Sequence, residues 1–489
     1  MKHLLNSFIL IALLGFAGVS LAEPAVETPA ANAVESVTVE STISAPATVT
    51  ESVSVAVAPP TVNKGDTAWM IMATVLVILM VIPGLALFYG GMVRAKNMLS
   101  VLMQVFVIFS MMAILWAIYG YSIAFTEGNA FFGGFSKLFL KGITPDSLAA
   151  TFSKGVAIPE YIYVAFQLTF AGITPALIIG AFAERVKFSA ILVFMLIWFT
   201  FAYLPIAHMV WYWAGPDAYT NAKTGEAAAA TAGFLFQKGA LDFAGGTVVH
   251  INAGIAAIVT AVMLGKRRDY KGHALPAHNI TYVVIGASLL WVGWFGFNAG
   301  SGLAADGLAA NAFMVTHIAA AAAALTWALL DWFLDKRPTI VGISTGAVAG
   351  LVAITPAAGF VGVAGALIIG VIVSLICFFM VAYVKPKLGY DDSLDAFGVH
   401  GIGGIIGAIL TGILATPAIQ AYSGAAYGNW HQLWVQLIAV GATIIFSGVG
   451  TIILFIIVDK SVGLRASDKH EAIGLDETQH GETAYTNFD

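Results

Sequence analysis

The sequence predicts an all-α integral membrane protein of eleven transmembrane helices, and three observations carry that prediction. The first is composition. The chain has 489 residues, 59% hydrophobic and 10% charged, with a mean hydropathy of +0.88. A soluble domain carries about 25% charged residues, so this chain lacks the polar groups to coat a globule in water. The second is a series of apolar runs of the roughly 20 residues that a bilayer crossing needs. The third is a basic charge pattern that alternates from loop to loop.

The elements follow in order. Residues 1–22 read as a signal peptide. Lys2 and His3 give a basic start, Phe8–Leu14 an apolar core too short to span, and Ser20-Leu-Ala22 small residues at the cleavage positions. Residues 23–65 are rich in Ala, Val, Thr, Ser, Pro and Glu and hold no aromatic residue. Such a stretch cannot bury enough apolar surface to offset its ordering entropy and reads as a flexible exported linker, with enough valine for local strand. The membrane domain is expected over 66–462 and a tail over 463–489.

The expected spans are 67–89, 98–125, 157–182, 188–213, 243–264, 279–298, 307–333, 339–356, 360–384, 397–417 and 431–458. With the linker outside, the inner loops and tail hold fifteen Lys and Arg residues and the outer loops six. The positive-inside rule therefore puts the N-terminus out and the C-terminus in. Glycines at intervals of four, such as Gly342, Gly346 and Gly350, predict close helix packing in lipid.

Ionisable groups inside spans are costly and usually functional or paired. His250 falls in the fifth span and His400 in the tenth. Each follows a glycine and a valine a few residues beyond an aspartate. Five spans separate them, so the pattern predicts two inverted five-helix halves plus an eleventh helix, with a transport site at the repeat interface. Asp242 opens the fifth span as a helix cap or a bias toward cations. His208 stands beside Trp211 and Trp213, where an interfacial aromatic belt and a binding site explain it equally. His317 has no counterpart and reads as a packing residue. The single cysteine, Cys377, excludes a disulfide framework. No metal cluster, nucleotide loop or nucleophile motif stands out, and a net charge of −5 does not favour nucleic acid. The chain does not read as an enzyme, and no cofactor is expected.

Five segments carry a resemblance: Pro83–Gly91, Ala207–Trp211, Leu241–Asn252, Gly293–Ser301 and Phe397–Gly401. Together they resemble the ammonium transporter family (Amt/Rhesus superfamily), and Trp211 with Ser301 the Amt branch. The resemblance implies an outer recruitment site at Phe166, Trp211 and Ser301, and a stacked gate at Phe170 and Phe297. It further implies a pore-lining pair at His250 and His400, with Asp242 beside the outer site. It implies ammonium or ammonia as substrate, a homotrimer in a bacterial inner membrane with its lipids, and a PII-type signal protein at the inner face. A passive NH₃ or CO₂ channel and an ammonium sensor are the alternatives. The linker and the outer segment 214–241 are longer than the resemblance implies.

Overall fold

The structure, a computed structural model, describes residues 60–216, 232–270 and 275–485. The signal peptide and most of the linker lie outside those residues, as do most of the long 214–241 segment and the last four residues of the tail.

Among the described residues, ten helices are long and apolar enough to cross a membrane. They are α1 (Lys64–Met92), α2 (Ala95–Phe125), α3 (Glu160–Phe182), α4 (Phe188–Trp211), α5 (Gly246–Leu264), α6 (Ile280–Gly300), α7 (Gly307–Asp335), α9 (Val363–Leu388), α10 (Phe397–Leu414) and α11 (Trp430–Val462). Between them lies α8 (Ile340–Ile354), apolar but only 15 residues long. At 1.5 Å per residue it rises about 22 Å, short of a bilayer core of about 30 Å. Pro356 explains the early stop: Thr355 is still helical (φ −52°, ψ −48°), but the proline that follows has no N–H to continue the ladder. Side chains cap the starts: Asn63 for α1, Asp306 for α7, Thr339 for α8 and Asn429 for α11.

Small residues bring the helices together as their spacing predicts. A Cβ on Gly346 would lie 2.5 Å from the Trp327 Cβ of α7, and one on Gly350 would lie 2.5 Å from the Ala319 carbonyl. One of the tightest approaches joins α5 and α10. A Cβ on Gly254 would lie 2.2 Å from the Gly401 Cα, and one on Gly404 would lie 3.1 Å from the His250 Cβ.

These two helices run in opposite directions. Near the end of α5, Arg267 N–H donates to Asp391, which precedes α10. At the other face, Gln436 of α11 bonds Leu241 before α5 and the Ala408 carbonyl of α10. The inverted relation is thus explicit for this pair.

The face where α5 ends carries a buried ionic network. Glu184 pairs with Arg94 and Arg267, and Asp391 with Arg267 and Arg185. Burial alone would raise the Glu184 carboxyl, but Arg267 and Arg94 override it and hold it below its ordinary range. Asp391 is likewise depressed against its burial by Arg267 and Arg185. The tail docks on this face. Lys96 donates to the Glu471 and Ala472 carbonyls, Asp476 accepts from Leu99 and Ser100 N–H, and Arg465 pairs with Glu471.

The opposite face carries a feature the sequence reading did not foresee, a small sheet. Strands β1 (Thr61–Val62), β2 (Leu148–Ala150) and β3 (Val156–Pro159) lie in the order β1-β3-β2, with β1 parallel and β2 antiparallel to β3. The last residues of the linker region therefore form a strand.

Two outcomes are expected. Gly254→Val, which drives a branched side chain into the α10 backbone, destabilises by on the order of 3 kcal/mol or more. Gly450→Ala, at a position with open space around it, is neutral or better. Thermal unfolding in detergent compares them. Because Glu184 and Asp391 are depressed in the fold, the stability they contribute is present above the ordinary carboxylate pKa of about 4 and is lost as pH falls below it. A thermal midpoint unchanged from pH 7 to pH 3 contradicts this.

Candidate functional site

His250 and His400 lie in the first turns of α5 and α10, and those turns are built alike. Each is a π-helical turn, Gly246–Ile251 and Phe397–Gly401. A π-turn leaves carbonyls and N–H groups unevenly paired and is common at functional sites. Eight residues before each histidine stands a buried aspartate that receives the loose donors. Asp242 accepts from the N–H groups of Gly245, Thr247 and Val248 at 2.9–3.0 Å. Asp392 accepts from Ala396 and Phe397 at 3.1 and 2.8 Å. Five residues before each histidine the backbone turns left-handed, at Gly245 (φ 111°) and Asp395 (φ 58°). At Asp395 a non-glycine residue accepts that strain, and Lys385 holds its carboxylate at 2.6 Å.

A 150-residue offset thus relates Asp242 to Asp392, Gly245 to Asp395, His250 to His400 and Gly254 to Gly404. Asp395 is the acid nearest His400 in sequence, but Asp392 is the one equivalent to Asp242. The Asp-x₇-His spacing shared by both halves was the signal that identifies Asp392.

The close crossing sets the two rings together. Their Nδ1 atoms are 3.3 Å apart, with ring centroids 5.3 Å apart and planes 16° from parallel. One Nδ1 donates and the other accepts, so a single proton is shared between them. On its other side His250 stacks on Trp294 at 5.4 Å, and Trp294 is held by a 2.8 Å bond from its Nε1 to the Thr355 hydroxyl. His250 Nε2 has no partner among the described residues.

Next along the same axis, Phe297 lies 6.0 Å from His250 and stacks on Phe170 at 4.3 Å, 25° from parallel. Beyond Phe170 is a recess of about 40 Å³ lined by Phe170, Trp211, Ser301, Gln167 and Tyr163, among others. The Ser301 hydroxyl donates to the Phe297 carbonyl at 2.8 Å, which leaves its oxygen free to accept. Trp211 meets Phe170 edge-on at 5.5 Å and donates from Nε1 to the Asp242 carbonyl. Gln167 adds a buried side-chain oxygen without a partner among the described residues. Phe166 does not line this recess; it is fully buried behind Phe170, with ring centroids 5.0 Å apart.

His208 is fully buried, its two nitrogens 2.9 and 2.8 Å from the Ala124 and Asn129 carbonyls, and it stacks on Tyr212. That is a structural post and not an interfacial belt. His317 is exposed on the side of the bundle, against Trp291 and Phe295. Among the described residues no group of His, Cys, Asp and Glu is placed to hold a metal ion.

A many-helix membrane bundle in which the irregular first turns of two inverted helices meet, with an aromatic pair and a small cation-sized recess, defines a membrane transport protein. Residues 68–485 match the model of the Ammonium Transporter Family. The ammonium transporter of Bacillus subtilis (strain 168) is 46% identical over 427 residues, which cover 86% of this chain and 99% of that one. That of Aquifex aeolicus (strain VF5) is 46% identical over 430 residues, 86% and 94% of the two chains. The crystal structure of Candida albicans Mep2 is 34% identical with a TM-score of 0.73, covering 83% of this chain and 87% of that one. A structure described as a sensor Amt protein is 26% identical with a TM-score of 0.75 over 85% and 98%. The chain belongs to the ammonium transporter family, whose members are transport proteins and not enzymes.

If Asp392 serves His400 as Asp242 serves His250, Asp392→Ala leaves two buried N–H groups unpaired at a cost of about 1–3 kcal/mol. It is expected to lower ammonium transport as strongly as Asp242→Ala. Ammonium uptake by proteoliposomes of the two variants checks this, and wild-type uptake by Asp392→Ala refutes the equivalence.

Proposed function

We propose that the recess binds ammonium, that the Phe170–Phe297 pair gates it, and that NH₃ then passes the two histidines while a proton follows by a separate route. The observation that carries this reading is the direct Nδ1 to Nδ1 contact of His250 and His400 beneath the stacked phenylalanines.

The physics begins in the recess. Ring faces of Trp211 and Phe170 attract a cation by about 0.5–2 kcal/mol each, depending on desolvation. The oxygens of Ser301 and Gln167 accept its N–H groups. Those contacts concentrate ammonium weakly. They do not carry a bare ion through an apolar constriction, where the idealised Born cost is of order 20 kcal/mol and still several after relaxation. Stacked at 4.3 Å, the two phenylalanines leave no wet path between them. Shedding the proton removes the barrier. Imidazole donates at one nitrogen and accepts at the other, so the pair is suited to receive and relay that proton. Net transport is then electrogenic.

In this reading the face with the sheet and recess is outside and the face with the ionic network and tail is inside, as the charge pattern of the loops supports. The signal peptide directs the N-terminus outward, and the membrane is a bacterial inner membrane. The exposed apolar residues Ile71, Met72 and Val75 of α1 and Phe313 and Met314 of α7 are covered by lipid or by neighbouring subunits of a homotrimer. The docked tail offers the inner face to a PII-type protein. The sensor among the structural relatives keeps a second reading open to test, ammonium binding without flux.

An ammonium step applied to proteoliposomes is expected to evoke a current. His250→Ala or His400→Ala is expected to lower the selective current on the order of a hundredfold or more, or to open a less selective ion leak. Selective current unchanged in both variants removes the histidines from the mechanism. Flux without charge movement in the wild type favours the passive gas channel, and binding without flux favours the sensor.

A further inference from the structure

The recess has a second aromatic layer that the mechanism above does not use. Phe152 and Trp213 also line it. They stack at 5.7 Å with planes 20° from parallel, and Trp213 stacks in turn on Phe236 at 5.5 Å. Three separate segments supply these rings: the turn between β2 and β3, the residues just past α4, and the short helix Phe234–Gln237.

The small sheet holds Phe152 in place. The Thr151 hydroxyl donates to the Val156 carbonyl and accepts from Ser153 N–H, which closes the hairpin turn. Pairing with β1 fixes β3 on its other edge. The chain that follows Trp213 is pressed against the same hairpin: a Cβ on Gly215 would lie 2.4 Å from the Ala150 Cβ, at a φ of +91°. Phe152 is nonetheless 46% exposed. A phenylalanine kept half in water, stacked on a tryptophan over a cavity with unpaired polar atoms, is placed for what enters that cavity.

We propose that Phe152 and Trp213 are specificity-determining residues, forming a roof that fits the recess to ammonium and excludes alkylated ammonium ions in order of their bulk. One water-sized body needs about 10–15 Å³ by the measure that gives 40 Å³ here. The recess therefore has room for about three such bodies, so each methyl group added to ammonium uses up that room and trimethylammonium, with four heavy atoms, fills or exceeds it. Trp213 is itself stacked against Phe152 and Phe236, so it acts as a wall that confines the cation against the rings below. This rests on the recess being the ammonium site, and the test separates the two ideas.

Proteoliposomes of wild type, Trp213→Ala, Phe152→Ala, Trp213→Phe and Trp211→Ala are compared for the ammonium-evoked current and its inhibition by mono-, di- and trimethylammonium. In Trp213→Ala the half-saturating ammonium concentration is expected to rise about two- to fivefold. Trimethylammonium is expected to gain on ammonium as a ligand by about tenfold or more. Phe152→Ala, at a half-exposed position that leaves the core intact, shifts discrimination in the same direction, and Trp213→Phe restores it. A lower maximal current with unchanged half-saturation and unchanged discrimination in both Ala variants is the signature of a purely structural role and overturns the roof. If Trp211→Ala also leaves half-saturation unchanged, the recess is not the ammonium site at all. If Trp211→Ala weakens ammonium while the roof variants discriminate as wild type, the roof alone fails.

Discussion

Everything at the centre of this protein depends on how closely α5 and α10 cross. Gly254 meets the backbone at Gly401, and Gly404 meets the turn that carries His250. With a side chain at any of these positions the helix axes separate, and the 3.3 Å contact between the imidazoles is lost. In lipid no hydrophobic force pushes two helices together, because the surroundings are as apolar as the helices. Close backbone contact supplies the packing energy, and glycine makes it possible. The same crossing relates the two histidines by an inverted axis, so a single contact sets both the symmetry and the chemistry.

The crossing could not be made from two regular helices, because the histidine turns are π-helical and their backbone groups are imperfectly paired. Irregular backbone at membrane depth survives only where protein satisfies it. Asp242 and Asp392 do so, each collecting N–H groups from the turn it precedes. Their carboxylates are fully used inside the protein, which leaves the recess to be built from rings and neutral oxygens. A cation is then attracted by quadrupoles and lone pairs, weakly enough to leave again. Strong binding by a free carboxylate would hold the ion and stop flux.

The two faces of the bundle solve different problems. The face with the tail locks its loops by buried ion pairs in which arginines override the desolvation of Glu184 and Asp391. That network adjoins Asp392 through its neighbour Asp391, so the docked tail and the His400 turn share one set of charges. The opposite face uses a three-stranded sheet and stacked aromatics in place of charge. There the walls of the recess must hold their shape without competing for a cation.

Much of this was legible in the sequence. Apolar runs placed the ten long helices within a few residues of their ends, because a bilayer makes length and hydropathy nearly sufficient; the eighth run, expected as a span over 339–356, is the short helix Ile340–Ile354. The positions of His250 and His400 were readable for the same reason: a titratable group in an apolar run is conspicuous. The acid that serves His400 was legible only in the Asp-x₇-His spacing shared by the two halves, because Asp395 lies nearer; the backbone then shows that Asp392 caps the turn while Asp395 absorbs the left-handed strain. Nor could the sequence show that Phe152 stacks over the recess on Trp213, 61 residues further along the chain. Hydropathy reports what each residue does in lipid, and it located the apolar runs and the odd polar residues within them. Which rings stack, which acid caps and how near two helices come depend on contacts between distant segments, and those only the tertiary structure decided.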